Sequence, residues 1–238
     1  MDILHLNWGP GPAGFVLRLQ TRLHDSTSSI LKERYQHWQE VGLAELGMTV
    51  ATRIALIYRA SYRLMELLKR LRDEIEGSGQ LNDLLDNGYV YTTKDERIFY
   101  DICVSVDSFY FEFRSCYEVL GNFMKTFCMK ILDRKINEVE LIKVLDNKNI
   151  DIKWIDQIRE NRKLLFHENA PWIALDIEKR TPLVCSLLIM KENLQNDNDE
   201  IYITQYDLKN AADGMQKSIF ALFDWLTAQV DEFEKQNT

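Results

Sequence analysis

Two residues in the second half of the chain could do acid–base chemistry on a phosphate: Arg162 and His167, in the run Ile158-Arg159-Glu160-Asn161-Arg162-Lys163-Leu164-Leu165-Phe166-His167-Glu168-Asn169-Ala170-Pro171-Trp172. Histidine is the side chain whose ordinary pKa suits proton exchange near neutrality. Arginine supplies permanently charged, bidentate donors for a phosphate gaining negative charge. Arg159, Asn161 and Lys163 are further candidates for substrate contact beside that pair. The same residues admit a purely structural role, because cations in the last turns of a helix stabilise its dipole. On an ideal helix, residues five apart diverge by about 140°. Arg162 and His167 therefore converge only if the last turn loosens or if each meets a partner chain, and Pro171 favours loosening.

Other chemistries find less support. His5, His24 and His37 are scattered, no Cys-x-x-Cys or His-x-x-x-His pair occurs, and no Glu-x-x-His pairing suggests a di-iron bundle, so no metal or other cofactor is expected. Gly9-Pro10-Gly11-Pro12-Ala13-Gly14 spells a dinucleotide fingerprint, but two prolines remove N–H donors that would cradle phosphate, and a simple turn explains it better. No Gly-x-Ser-x-Gly is present. Cys103, Cys116 and Cys128 fall in an apolar helical pattern and, with Cys185, read as reduced, buried thiols of a cytoplasmic protein.

The elements that hold the pair are mostly helices. A chain of 238 residues with 46% hydrophobic residues, four Pro and ten Gly can bury a core without a loop-rich β architecture. The division expected is an N-terminal arm and short helix over 1–43, then a helical body over 44–238. A short helix begins after Ser26–Ser29 and ends near Gly42. A long one runs from Ala44 to about Glu76, its apolar stripe including Ile54, Ile57, Tyr58, Leu64 and Leu71, and stops at Gly77-Ser78-Gly79. Thr93-Lys94-Asp95-Glu96 has the form of a capping box and opens another long helix reaching Asp133, with Gly121 a possible bend. Shorter helices follow over 137–145 and from a cap at Asp151 toward Pro171. Between Pro171 and Thr204 the period changes to short β-rich runs, a hairpin or three-stranded insertion. Thr204–Asp207 caps the last helix.

These features give a mainly α fold: an antiparallel bundle of four or five helices with a small β insertion before the last helix. No stretch is apolar enough to span a bilayer and no secretory signal opens the chain, so a cytoplasmic protein without membrane contact is expected. The net charge of −8 disfavours general attraction to nucleic acid. One local exception stands out, since Arg53, Arg59, Arg63, Lys69, Arg70 and Arg72 face only Glu66. Such charge runs are usually solvated helix faces.

Arg162-x4-His167, late on a helix of such a bundle, resembles the R-x4-6-H motif of the HEPN family. The resemblance spans roughly Ala44 to the C-terminus. It differs immediately after the arginine, where the family usually carries Asn, Asp or His and this chain has Lys163. The resemblance implies a metal-independent endoribonuclease acting as a homodimer, with two motifs facing each other across a composite cleft. His167 would exchange protons with the ribose 2′-OH or the leaving oxygen while Arg162 holds the scissile phosphate. It also implies toxin or phage-defence settings with RNA as substrate and an antitoxin or regulatory protein as partner. Two alternatives stay open: a non-catalytic helical RNA-binding module, or an adaptor for a protein partner.

Overall fold

Local capping sets where the helices begin. In the computed structural model, which describes residues 14–78, 95–163, 172–178, 184–190 and 202–237, Thr204 N–H and Oγ1 donate to Asp207 Oδ2 at 2.7 and 2.9 Å. Asp207 N–H donates back to Thr204 Oγ1 at 3.3 Å, and the last helix starts at Gln205. Asp151 Oδ1 likewise accepts from Lys153 N–H at 2.9 Å. Asn137 and Glu140 form a reciprocal capping box. Each such cap satisfies N–H groups with no partner inside the helix, for about 1 kcal/mol.

Among the described residues the helices are α1 (Gly14–His24), α2 (Ser29–Gln36), α3 (Leu43–Gly77), α4 (Glu96–Ile131), α5 (Glu138–Asn147), α6 (Lys153–Lys163) and α7 (Gln205–Gln236). Strands β1 (Trp172–Glu178), β2 (Val184–Met190) and β3 (Tyr202–Thr204) form an antiparallel sheet in the order β1-β2-β3. Trp172 pairs with Met190 and Glu178 with Val184 across β1–β2; Leu188 pairs with Thr204 across β2–β3. The protein is thus mainly helical, with a small antiparallel sheet before the last helix, and the three-stranded form of the expected insertion is the one present. Among the described residues, no helix is long and apolar enough to cross a membrane.

Several local expectations change. The N-terminal arm contains a further helix beyond the short one expected, α1, which buries Phe15, Val16, Leu19 and Leu23. Helix α2 ends at Gln36, earlier than expected; turns over 37–42 follow, and Gly42 sits at φ +77, a conformation suited to glycine. Thr93 lies outside the described residues, and at the start of α4 Asp95 Oδ1 accepts from Arg97 N–H at 2.9 Å. Helix α4 runs unbroken through Gly121. Tyr58, assigned to the apolar stripe of α3, is 42% exposed, because it lies at the stripe's edge. Strand β1 continues to Glu178, into the stretch read as a separator.

The chain divides into two compact units, and each of the three long helices supplies residues to both. The unit of 57–111 and 155–212 centres on Ile57, Leu64 and Leu67 of α3, Ile102, Val106, Phe109 and Tyr110 of α4, and Ile155 and Ile158 of α6. Leu187 and Ile189 of β2 are buried while Ser186 and Leu188 are half-buried, the period-two alternation of a strand with one face on a core. Leu187 N–H donates to Gln205 Oε1 at 3.3 Å, tying the sheet to α7.

The unit of 7–56, 112–154 and 213–238 is built on aromatic rings. Phe15 meets Phe220 edge-on at 4.8 Å and stacks with Phe223 at 5.3 Å. Trp38 meets Phe123 and Phe127 at 6.3 and 6.0 Å. Such pairs add about 0.5–1.5 kcal/mol each beyond their burial. Glu234 of α7 reaches the start of α2, where its Oε1 accepts from Ser26 Oγ at 2.6 Å, Thr27 Oγ1 at 2.9 Å and Ser28 N–H at 3.3 Å, and also from Thr27 N–H. Its other oxygen accepts from Arg22. A carboxylate over 200 positions away thereby caps α2, whose own Ser28 side chain makes no cap bond.

Candidate functional site

Helix α6 carries four of the five site candidates, and its sequence dictates how it packs. Trp154, Ile155, Ile158 and Asn161 recur at helical spacing and all four are buried. Asn161 thus fills a place in the stripe where an apolar side chain would be expected. It is 4% exposed, and its Nδ2 donates to Tyr110 Oη of α4 at 3.1 Å. Tyr110 is 1% exposed; burial pushes its hydroxyl well above the ordinary tyrosine range, while the bond from Asn161 pulls the other way. One turn earlier, Gln157 Nε2 donates to Asp207 Oδ1 at 2.9 Å. Two polar side chains on one face of α6 therefore anchor its last two turns, one to α4 and one to the first turn of α7.

Asn161 is among the residues expected to contact substrate. The structure places its amide against the core, where the bond to Tyr110 ties α6 to α4. Arg159 is exposed and lies 3.6 Å from Asp156 across one turn. Exposed pairs of this kind contribute about 0.2–1 kcal/mol and leave the guanidinium accessible. Arg162 and Lys163 are the last two residues of α6, and position 162 follows directly on the anchor at 161. His167 lies outside the described residues. The structure therefore brings Arg159, Asn161, Arg162 and Lys163 onto one short, doubly anchored helix, with Asn161 turned inward and Arg159 outward.

One group the sequence reading did not single out also bears chemistry. Asp107 lies one turn before Tyr110 on α4, is half-buried, and has an enclosed Oδ1 without a hydrogen-bond partner among the described residues. Burial raises its carboxyl pKa. Its only sequence signal is an acid three residues before a tyrosine in an amphipathic helix that carries several other acids, too common a pattern to single out.

The cysteines carry little nucleophilic promise. Cys116 and Cys128 are buried and free, and burial pushes both thiols up to about 12. Cys103 is half-buried rather than buried, with its thiol up to about 11 through desolvation and the nearby Asp107 charge. Among the described residues no group of three or more His, Cys, Asp or Glu side chains is placed to hold a metal ion. Comparison of the chain with protein-family models, curated proteins and solved structures gives no match.

Proposed function

We propose that the protein is a HEPN-like, metal-independent endoribonuclease, a helical bundle that pairs as a homodimer so that two Arg162–His167 motifs share one cleft. The observation that supports this reading most is the position of Arg162. It is the penultimate residue of a short helix held at two points by buried or half-buried polar side chains, five residues before the only histidine of the C-terminal two thirds. A phosphate-binding cation gains most when the helix beneath it cannot shift, since small displacements of a positioned group weaken catalysis steeply.

In this mechanism His167 takes the proton of the ribose 2′-OH, the 2′-oxygen attacks phosphorus, and the bond to the 5′-oxygen breaks. The leaving oxygen receives a proton from the facing motif's protonated imidazole. Arg162 stabilises the charge gathering on the non-bridging oxygens. The products are a 2′,3′-cyclic phosphate and a 5′-hydroxyl. A toxin or phage-defence role, restrained by an antitoxin or regulatory protein, belongs to the same proposal.

The test incubates wild-type and His167→Ala protein with single-stranded and structured RNA in excess EDTA and analyses the product ends. Cleavage by the wild type alone, leaving cyclic phosphate or its hydrolysis product, supports the assignment; equal rates for the two proteins refute it. A second reading, a non-catalytic RNA-binding or protein-interaction module, draws on Asn161, whose buried amide bonds Tyr110, and on Arg159, which pairs within its own helix. It predicts no cleavage by either protein and a loss of stability in His167→Ala, because the histidine then serves the helix end.

A further inference from the structure

The basic stripe of α3 takes on a different character once exposure is known. At 100° per residue, Arg59, Tyr62, Arg63, Glu66, Lys69 and Arg70 fall within an arc of about 120°, one face of the helix. Arg59, Lys69 and Arg70 are exposed and have no ion-pair partner among the described residues. Arg63 is bound to Asp101 of α4 at 2.9 Å, which joins the two helices at that level. Immediately before each member of that ion pair stands an exposed tyrosine: Tyr62 at 52% and Tyr100 at 60%. Tyr58, 42% exposed, borders the same face of α3.

Single exposed aromatic residues are ordinary. Three of them interleaved with cations that have no ion-pair partner among the described residues, in a protein of net charge −8, form a surface that is both basic and aromatic. Free guanidinium and ammonium groups seek phosphates, and exposed rings stack on unpaired bases. A closed duplex hides its base faces, and a second copy meeting this face would bring Arg59, Lys69 and Arg70 against their like.

We propose that this face, Arg59 to Arg70 of α3 with Tyr100 of α4, binds single-stranded nucleic acid. It spans about 16 Å along α3, room for a few nucleotides. The choice of RNA over DNA rests on the ribonuclease reading; the surface itself does not.

The experiment uses full-length His167→Ala protein, which keeps the probe intact if that reading holds, and the fluorescence anisotropy of a labelled oligouridylate of about 15 nucleotides. The matching deoxyoligonucleotide and an RNA duplex are run beside it. Three or four phosphate contacts to a single strand give a log–log salt slope of about −2 to −3. Affinity should therefore fall about twentyfold to fiftyfold between 50 and 200 mM salt. Arg59→Glu with Arg70→Glu should flatten the slope by about 1.4, and Tyr62→Ala should weaken binding about 5- to 100-fold. The duplex should bind more weakly than the single strand.

Absence of binding, or unchanged affinity and slope in these variants, overturns the proposal. So does a variant that turns a dimer into a monomer while RNA affinity stays the same, which would make the face a self-interface. Equal binding of the two single strands leaves the surface in place and removes only the preference for RNA. Cleavage by the wild type that survives Arg59→Glu and Arg70→Glu unaltered, with binding equally unaltered, defeats the surface and spares the ribonuclease. Surface-dependent binding without any cleavage does the reverse.

Discussion

Substituting Gly214 by alanine should destabilise the protein, against the usual direction for a glycine inside a helix. In α7 the change reduces the freedom of the unfolded chain and favours the helix by about 1 kcal/mol. The added methyl, however, would lie 2.3 Å from Trp154 Cδ1 and 2.7 Å from Cγ, where ordinary contacts begin at 3.4 Å. The indole would have to retreat by about 1.1 Å to restore contact at that limit. It has little room, being 6% exposed and set edge-on to Phe113 and Tyr117, each with its ring centre 6.0 Å away. Overpacking a tight site costs about 1–3 kcal/mol, and rigid rings on both sides place this one near the upper end. The net effect of Gly214→Ala is then a loss of about 1–2 kcal/mol. Urea unfolding followed by far-UV circular dichroism measures it as a lower midpoint at constant slope. Repeating the substitution in a Trp154→Leu background removes the obstructing ring. There, alanine at 214 should stabilise by about 1 kcal/mol, so the two changes couple by about 2–3 kcal/mol. A wild-type or higher midpoint for Gly214→Ala alone would refute the steric argument.

Gly121→Ala supplies the opposite case: nothing lies within 4 Å of the added carbon, so stability should rise by about 0.5–1 kcal/mol in the same urea experiment. Asn161→Leu should cost about 1–3 kcal/mol by stranding the buried Tyr110 hydroxyl, with part regained on adding Tyr110→Phe; a neutral Asn161→Leu would show that the bond does not hold α6. Glu234→Gln should lower the melting temperature at neutral pH, because Arg22, Ser26 and Thr27 hold the Glu234 carboxyl well below its ordinary value of 4.5. A depressed folded-state pKa stabilises above the unfolded value and is lost as pH falls toward the folded one, so wild type and variant should converge in melting scans carried below about pH 4.

Tyr58 and Asn161 mark the boundary of what local reading can achieve. Both sit where a helical stripe passes, and side-chain chemistry alone assigns the tyrosine inward and the asparagine outward; the fold does the opposite. The aromatic tyrosine borders a face on which Arg59, Tyr62, Lys69 and Arg70 are exposed, while the asparagine finds a hydroxyl within hydrogen-bond reach. An amide so matched can be buried at little cost. The glycines and prolines before α1 signal a turn and hide its start, although Phe15, Val16, Leu19 and Leu23 have the spacing of a buried stripe.

By itself the sequence determined the elements whose signals are short-range: the long apolar stripes of α3, α4 and α7, the caps at Asp151 and Thr204–Asp207, and the shift to period two that makes the sheet. Those signals act within a few residues, where spacing alone decides which side chains share a face and which orphan N–H groups are satisfied. Only the tertiary structure decided that Glu234 caps α2, that Trp154 needs a glycine at 214, and that Asn161 anchors the helix carrying Arg162. Each of those joins residues 51 or more positions apart. Their energies depend on distances and burial that no local pattern encodes, because the partners meet only when the core closes around them.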